Sequence, residues 1–175
     1  MRRSENSYNV KKLSVNGIML ALTAVFLLLA NILPTSRIAL YALCSFIVSV
    51  IVMEYGIKAG CIFYFASCIL SFIIVPEKLE LAVYIIFFGI YAIVKYYIEK
   101  LNNLAVEYVL KYVYFNAVLI ISYVAVKFIF IRSLNLKYPW IVIILALEVA
   151  FLIFDYVYTL FIQYYRTKLK SILKI

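Results

Sequence analysis

The last apolar stretch of the chain, from Pro139 to Gln163, reads PWIVIILALEVAFLIFDYVYTLFIQ. A helix of this length, at 1.5 Å of rise per residue, crosses a hydrocarbon core of about 30 Å. Two acids interrupt the stretch, Glu148 and Asp155, and their spacing returns to nearly the same helical face. Because an unpaired charge near the bilayer centre costs at least roughly 2.5–3.5 kcal/mol, other spans must supply partners for these carboxylates.

The composition of the whole chain favours a membrane protein. Of the 175 residues, 68% are hydrophobic and only 14% are charged, and the mean hydropathy is +1.08. A soluble domain of this composition is implausible. The net charge of +9 could indicate nucleic acid, but basic residues also flank membrane spans on the cytoplasmic side, and we favour that interpretation. We predict one transmembrane domain over residues 1–175, in contact with the lipid bilayer and not with nucleic acid.

The hydropathy pattern predicts an all-α, polytopic integral membrane protein with a bundle of six transmembrane helices. A basic N-terminus, 1–12, precedes the helices, which occupy 13–163, and a basic tail, 164–175, follows them. The second to fourth spans are short for a full crossing, so we expect tilt, extension by flanking residues or a break. The six predicted spans are Leu13–Leu33, Ile38–Met53, Cys61–Val75, Leu81–Val94, Leu104–Ile131 and Pro139–Gln163.

The distribution of lysine and arginine predicts the orientation. If both termini are cytoplasmic, twelve of the 17 basic residues lie on the inner side and five on the outer side. The excess of positive charge is typical of cytoplasmic loops. The first span is too long for a signal peptide and no small-x-small cleavage pattern follows it, so we predict an uncleaved first helix.

Several kinds of chemistry find no support in the sequence. The chain has no histidine, and Cys44, Cys61 and Cys68 match no CxxC spacing, so we expect no metal site. No Gly-rich phosphate loop is present, and we expect no cofactor. Glu148 and Asp155 are about 10 Å apart in helical rise, too far to share a proton. We therefore do not expect an enzyme.

Polar residues in the outer halves of the last two spans form a candidate binding site. Lys127 and Glu148 are close enough in predicted depth to pair, and Tyr123 and Asn116 lie deeper on the same face of the fifth span. Two further residues at the outer side, Asn31 and Arg37, complete the predicted substrate-binding set. The sequence leaves two alternatives open: an outward-facing pocket, or a buried ion pair that only fixes two helices together. Asp155 lies deeper, and we expect it to have a structural role, with Lys111 as its candidate partner.

The first span carries small residues at Gly17, Ala21 and Ala24. Small residues at this spacing let another helix approach closely, so the stripe is a candidate partner interface. Packing within this chain is the alternative explanation.

These features together resemble the substrate-binding S components of energy-coupling-factor transporters. The shared features are six helices with short loops, cytoplasmic termini, the small-residue stripe, and the turn EYGIKAG between the second and third spans. In that turn, Gly56, Ala59 and Gly60 match the family's glycine-alanine-glycine pattern. The family's AxxxA stripe appears here only as Gly17-x-x-x-Ala21. The histidine-containing N-terminal region of the nickel and cobalt members is not present in this sequence.

The resemblance implies a protein of the bacterial cytoplasmic membrane that captures a small nutrient, typically a vitamin or its precursor, from outside. It also implies partners: a transmembrane coupling subunit and two ABC-type ATPases. The alternative is a non-transporting membrane scaffold, as in rod-shape proteins of the MreD type, which needs a binding surface for partners but no ligand pocket.

Overall fold

Helices make up every element of the computed structural model, which describes residues 2–130 and 140–169. Within those residues, five helical segments are long and apolar enough to cross a membrane. They are Lys12–Ile32, Pro34–Ile74, Leu81–Glu99, Leu104–Val124 and Ile141–Lys168. The chain divides into two compact units, Met1–Glu107 and Tyr108–Ile175.

The first unit begins with α1, Arg2–Ile32, which is followed by a 3₁₀ turn at Pro34–Ser36 and then by α2, Arg37–Ile74. Proline at the first position of the turn ends α1, because its ring cannot continue an α-helix. The buried face of α1 carries Thr23, Leu27 and Ala30, and its other faces are largely exposed.

Helix α2 folds back on itself at Gly56. This glycine has φ 82° and ψ 171°, a backbone conformation that is essentially restricted to glycine. A Cβ atom at Gly60 would overlap the Val52 side chain and lie 3.5 Å from the Val52 Cα, whereas eight residues of straight helix span about 12 Å. The two limbs, residues 37–55 and 57–74, therefore form a helical hairpin.

Hydrogen bonds at the far end of the hairpin agree with this reversal. The Arg37 Nε atom donates to the Ala30 carbonyl at 3.1 Å, and the Asn31 side-chain amide donates to the Ile74 carbonyl at 3.3 Å. Both ends of α2 therefore lie beside the end of α1. A straight helix would separate Arg37 from Ile74 by roughly 55 Å.

The first unit continues with α3, Lys78–Val83, a π-helical segment, Tyr84–Gly89, and α4, Ile90–Glu99. The second limb of α2 holds the π-helical segment. The Tyr64 hydroxyl donates to the Ile85 carbonyl at 3.0 Å, and the Tyr84 hydroxyl donates to the Ser67 hydroxyl at 3.0 Å. A Cβ at Gly89 would lie 2.6 Å from the Tyr64 ring, so glycine permits this contact.

The second limb of α2 buries serine side chains and exposes large apolar ones, although most buried residues of the first unit are apolar. On the second limb of α2, Ser67 and Ser71 are fully buried and bond to carbonyls of their own helix. Apolar residues of the same limb are more than 60% exposed: Ile62, Phe65, Ile69, Phe72 and Ile73. Water would penalise so large an apolar surface, whereas lipid would not. The distribution is compatible with a multi-pass membrane protein.

The second unit contains most of α5, Leu104–Phe130, then α6, Trp140–Tyr164, and a π-helical extension, Tyr165–Leu169. The two helices are antiparallel, because the residue number of the contact on α6 falls as the residue number on α5 rises. Lys111 meets Asp155, and Phe115 stacks on Phe151.

The helix boundaries differ from the predicted ones at several places. The first helix begins at Arg2 rather than Leu13, and the predicted turn between Met53 and Cys61 is helical except at Gly56. The fourth predicted span extends to Glu99 instead of ending at Val94. Of the three alternatives for the short spans, extension by flanking residues is seen in the fourth span and on both sides of Gly56. Ile131 and Pro139, the predicted ends of the last two spans, lie outside the described residues.

Candidate functional site

Three layers of contacts connect α5 to α6. In the first, the Lys111 Nζ atom lies 2.9 Å from the Asp155 Oδ2 atom, and only 8% and 9% of their side-chain surfaces are exposed. In the second, the rings of Phe115 and Phe151 stack at 4.4 Å between centroids with an angle of 7°. The predicted Lys111–Asp155 pair is confirmed, and it compensates two charges that would be costly alone in lipid.

The third layer joins Asn116 to Glu148. The Asn116 Nδ2 atom donates to the Glu148 Oε1 atom at 3.0 Å and to the Tyr112 carbonyl at 3.0 Å. The amide thus uses both of its N–H groups, which fixes its orientation. Glu148 is half-buried, and Asn116 is its one hydrogen-bond partner among the side chains that the structure describes, which do not include that of Lys127. The Glu148 carboxylate is thus bonded to a neutral amide, whereas the Asp155 carboxylate is bonded to a cation.

A pocket of about 390 Å³ lies next to this third layer, between α5 and α6. Its volume falls in the range of small-molecule sites, roughly 300–1,000 Å³. Its polar groups come from Asn116 and Tyr123, and its other walls are aliphatic. The lining residues are Asn116, Leu119, Ile120, Tyr123, Ile143, Ile144 and Leu147. Asn116 and Tyr123 are seven residues apart on α5, about 10 Å of helical rise, so this half-open apolar pocket has one polar residue at each end and suits a small ligand with an apolar body and a polar group.

The structure brings together three of the predicted site residues. Asn116 and Tyr123 line the pocket, and Glu148 is bonded to Asn116. The side chain of Lys127 lies outside the described residues, so its predicted contact with Glu148 stays a prediction. Along α5, Lys127 is eleven residues beyond Asn116, which is roughly 16 Å of helical rise. Asn116 is therefore the α5 residue at the level of Glu148.

Asn31 and Arg37, the other two predicted site residues, belong to the first unit. Asn31 donates to the Leu27 carbonyl at 3.0 Å as well as to the Ile74 carbonyl, and Arg37 donates to the Ala30 carbonyl. These bonds link the end of α1 to both ends of the α2 hairpin, which gives both residues a structural role in that unit.

Sequence reasoning missed a buried lysine. Lys95 follows the predicted end of the fourth span at Val94, yet it is only 1% exposed and its Nζ lies 2.7 Å from the Glu99 Oε1 atom. Helical spacing was the available signal, since Tyr91, Lys95 and Ile98 share one buried face of α4. The ion pair at i,i+4 compensates the lysine charge and lets the helix continue to Glu99.

The predicted partner stripe lies away from the packed face of α1. Gly17 and Ala21 are exposed and Ala24 is half-buried. A Cβ at Gly17 would meet nothing within 4 Å. At 100° per residue, the stripe points roughly 120° away from the face formed by Thr23 and Leu27. Packing of α1 against α2 therefore does not use the small residues.

The described residues contain no group of three or more His, Cys, Asp or Glu side chains placed to hold a metal ion. Comparisons of the chain with models of known protein families, with curated proteins and with solved structures found no match. The protein is an all-helical chain with five helical segments of membrane-spanning length, within residues 2–130 and 140–169, and a small-molecule-sized pocket between α5 and α6.

Proposed function

We propose that the chain crosses a bacterial cytoplasmic membrane six times, with both termini in the cytoplasm. The hairpin at Gly56 supports this count, because each limb of α2 is roughly 27–28 Å long and close to the thickness of a hydrocarbon core. Because α2 supplies two limbs, the five apolar segments give six crossings. An even number of crossings places both termini on the same side of the membrane. The twelve-to-five distribution of basic residues favours the cytoplasm as that side.

In this membrane the protein serves as a substrate-capture subunit, similar to the S components of energy-coupling-factor transporters, and not as an enzyme. The pocket between α5 and α6 is the observation that carries the proposal. With cytoplasmic termini, its lining residues fall in the outer halves of both helices, where a molecule from outside would arrive. A vitamin-like nutrient has the size that such a pocket accepts.

Transport needs an energy source, and the sequence carries no nucleotide-binding motif. A transmembrane coupling subunit and two ABC-type ATPases would supply it. The stripe of Gly17, Ala21 and Ala24 is the proposed contact with the coupling subunit, because exposed small residues let a second helix pack closely in lipid. The stripe would serve a scaffold of the MreD type equally well, but a scaffold has no use for the pocket.

Purification from native membranes followed by mass spectrometry tests the proposal. We expect a bound small molecule and copies of ABC-type ATPases to co-purify. Replacing Ile144 by Trp should fill the pocket and remove the small molecule. The matched control is Ile153→Trp, which places the same ring on an exposed position of α6 outside the pocket and should retain the ligand. Partner proteins other than ATPases, with no small molecule in either sample, would favour the scaffold.

A further inference from the structure

The two acids of α6 have different partners. Asp155 is bonded to the ammonium group of Lys111, whereas Glu148, seven residues nearer the start of the helix, is bonded to the amide of Asn116. An amide donates a hydrogen bond but carries no charge. The Lys111–Asp155 layer is therefore neutral as built, and the Asn116–Glu148 layer carries one negative charge when Glu148 is ionised.

Glu148 also differs from Asp155 in its surroundings. Asp155 is buried, while Glu148 is half-buried and its neighbour Leu147 lines the pocket. The Asn116 side chain lines the same pocket and touches the Glu148 carboxylate. Glu148 is not itself a lining residue, but its carboxylate lies 3.0 Å from the amide nitrogen of Asn116, which is one, so the charge lies next to the Asn116 end of the pocket.

We propose that the pocket takes a small apolar molecule with a protonated amine, and that the ammonium group pairs with Glu148. This inference rests on the proposed function and names the substrate class. The ammonium would play the part at Glu148 that Lys111 plays at Asp155, and the aliphatic walls would hold the apolar body. A carboxylate ligand would be repelled by Glu148, and a neutral alcohol would form a hydrogen bond without compensating the charge.

Three probes with one apolar body test the substrate class: phenylethylamine, phenylethanol and phenylpropionate. Their binding to the full chain in lipid nanodiscs is measured by calorimetry, with empty nanodiscs subtracted to remove partition into lipid. We expect saturable binding of the amine, at least about tenfold tighter than that of the alcohol, and none of the carboxylate. Glu148→Gln should reduce the preference for amine over alcohol to about one. Glu77→Gln, which removes a charge from an exposed loop carboxylate, should leave it unchanged.

Equal saturable binding of the amine and the alcohol would overturn the inference and leave the pocket as a general apolar site. A preference for the amine that persists in Glu148→Gln would assign the charge recognition to another residue and would also overturn it. If no probe binds above empty nanodiscs, the substrate class is wrong. The co-purification experiment then decides separately whether the proposed function stands. The comparison of probes on the unchanged protein needs no variant, so it remains decisive if Glu148→Gln does not fold.

Discussion

Lys111 of α5 and Asp155 of α6 form an ion pair 2.9 Å long with both side chains buried. The pair sets the register of the two helices, because Phe115 then lies opposite Phe151, one turn further along each helix. In the next layer Asn116 donates a hydrogen bond to Glu148, and the pocket lies beside Asn116. A structural ion pair thus positions a second carboxylate beside a cavity.

The first prediction concerns this pair. Lys111→Met or Asp155→Leu alone should destabilise the protein by about 3–5 kcal/mol, because each leaves an unpaired charge in a buried layer. The double variant should recover most of that loss. Unfolding in detergent, followed by circular dichroism, measures all three, with Lys58→Met at an exposed position as the control. If the double variant instead loses the sum of the two single losses in unfolding free energy, the two side chains do not stabilise each other.

The second prediction concerns the hairpin at Gly56. Gly56→Ala should cost about 1–3 kcal/mol, because a residue with a Cβ rarely adopts φ 82° with ψ 171°. The same substitution at Gly17, which is helical and has open space around it, should be neutral or stabilise by about 0.5–1 kcal/mol. Melting temperatures in one detergent compare the two variants. Equal melting temperatures would contradict the assigned conformation of Gly56.

The third prediction concerns topology. Single cysteines at Ser4 and Ser171, in a chain without Cys44, Cys61 and Cys68, should resist a membrane-impermeant thiol reagent in intact cells, because both termini are proposed to be cytoplasmic.

A cysteine at Thr35, in the exposed turn after α1, is the positive control and should be labelled. Labelling of either terminal cysteine in intact cells would overturn the proposed orientation. All three positions should react after the membrane is permeabilised.

The fourth prediction concerns the small-residue stripe. Ala21→Leu should leave the protein folded, because Ala21 is exposed, but should abolish co-purification with a coupling subunit by blocking close helix approach. Ala39→Leu, at an exposed position of α2, is the matched control and should keep the partner. Pull-down from native membranes with quantification of the partner measures both. If the Ala21→Leu protein folds and retains its partner, the coupling subunit binds a different surface.

Much of the architecture follows from local properties of the sequence. Apolar runs with prolines at Pro34 and Pro76 predicted six helices of membrane-spanning length, and five helical segments of that length are present within residues 2–130 and 140–169. The turn around Gly56 was predicted from its glycines, and the structure reduces it to one non-helical residue. Burial of Lys95 was missed, because the pairing with Glu99 that permits it depends on the helix continuing past the apolar run.

Some contacts around the candidate site follow from the sequence. Charge compensation correctly paired Lys111 with Asp155, because the cost of an unpaired charge is a general quantity. Depth along α5 grouped Asn116 with Tyr123, and both line the pocket, while their role in binding a substrate stays a prediction. That Glu148 meets Asn116 was not predicted, since a contact between two helices depends on their register, and the register is decided by side chains packing along the whole interface. The sequence by itself thus determined which segments are helical and apolar, while tertiary structure alone decided which polar groups meet, because helices distant along the chain acquire their relative positions only by packing.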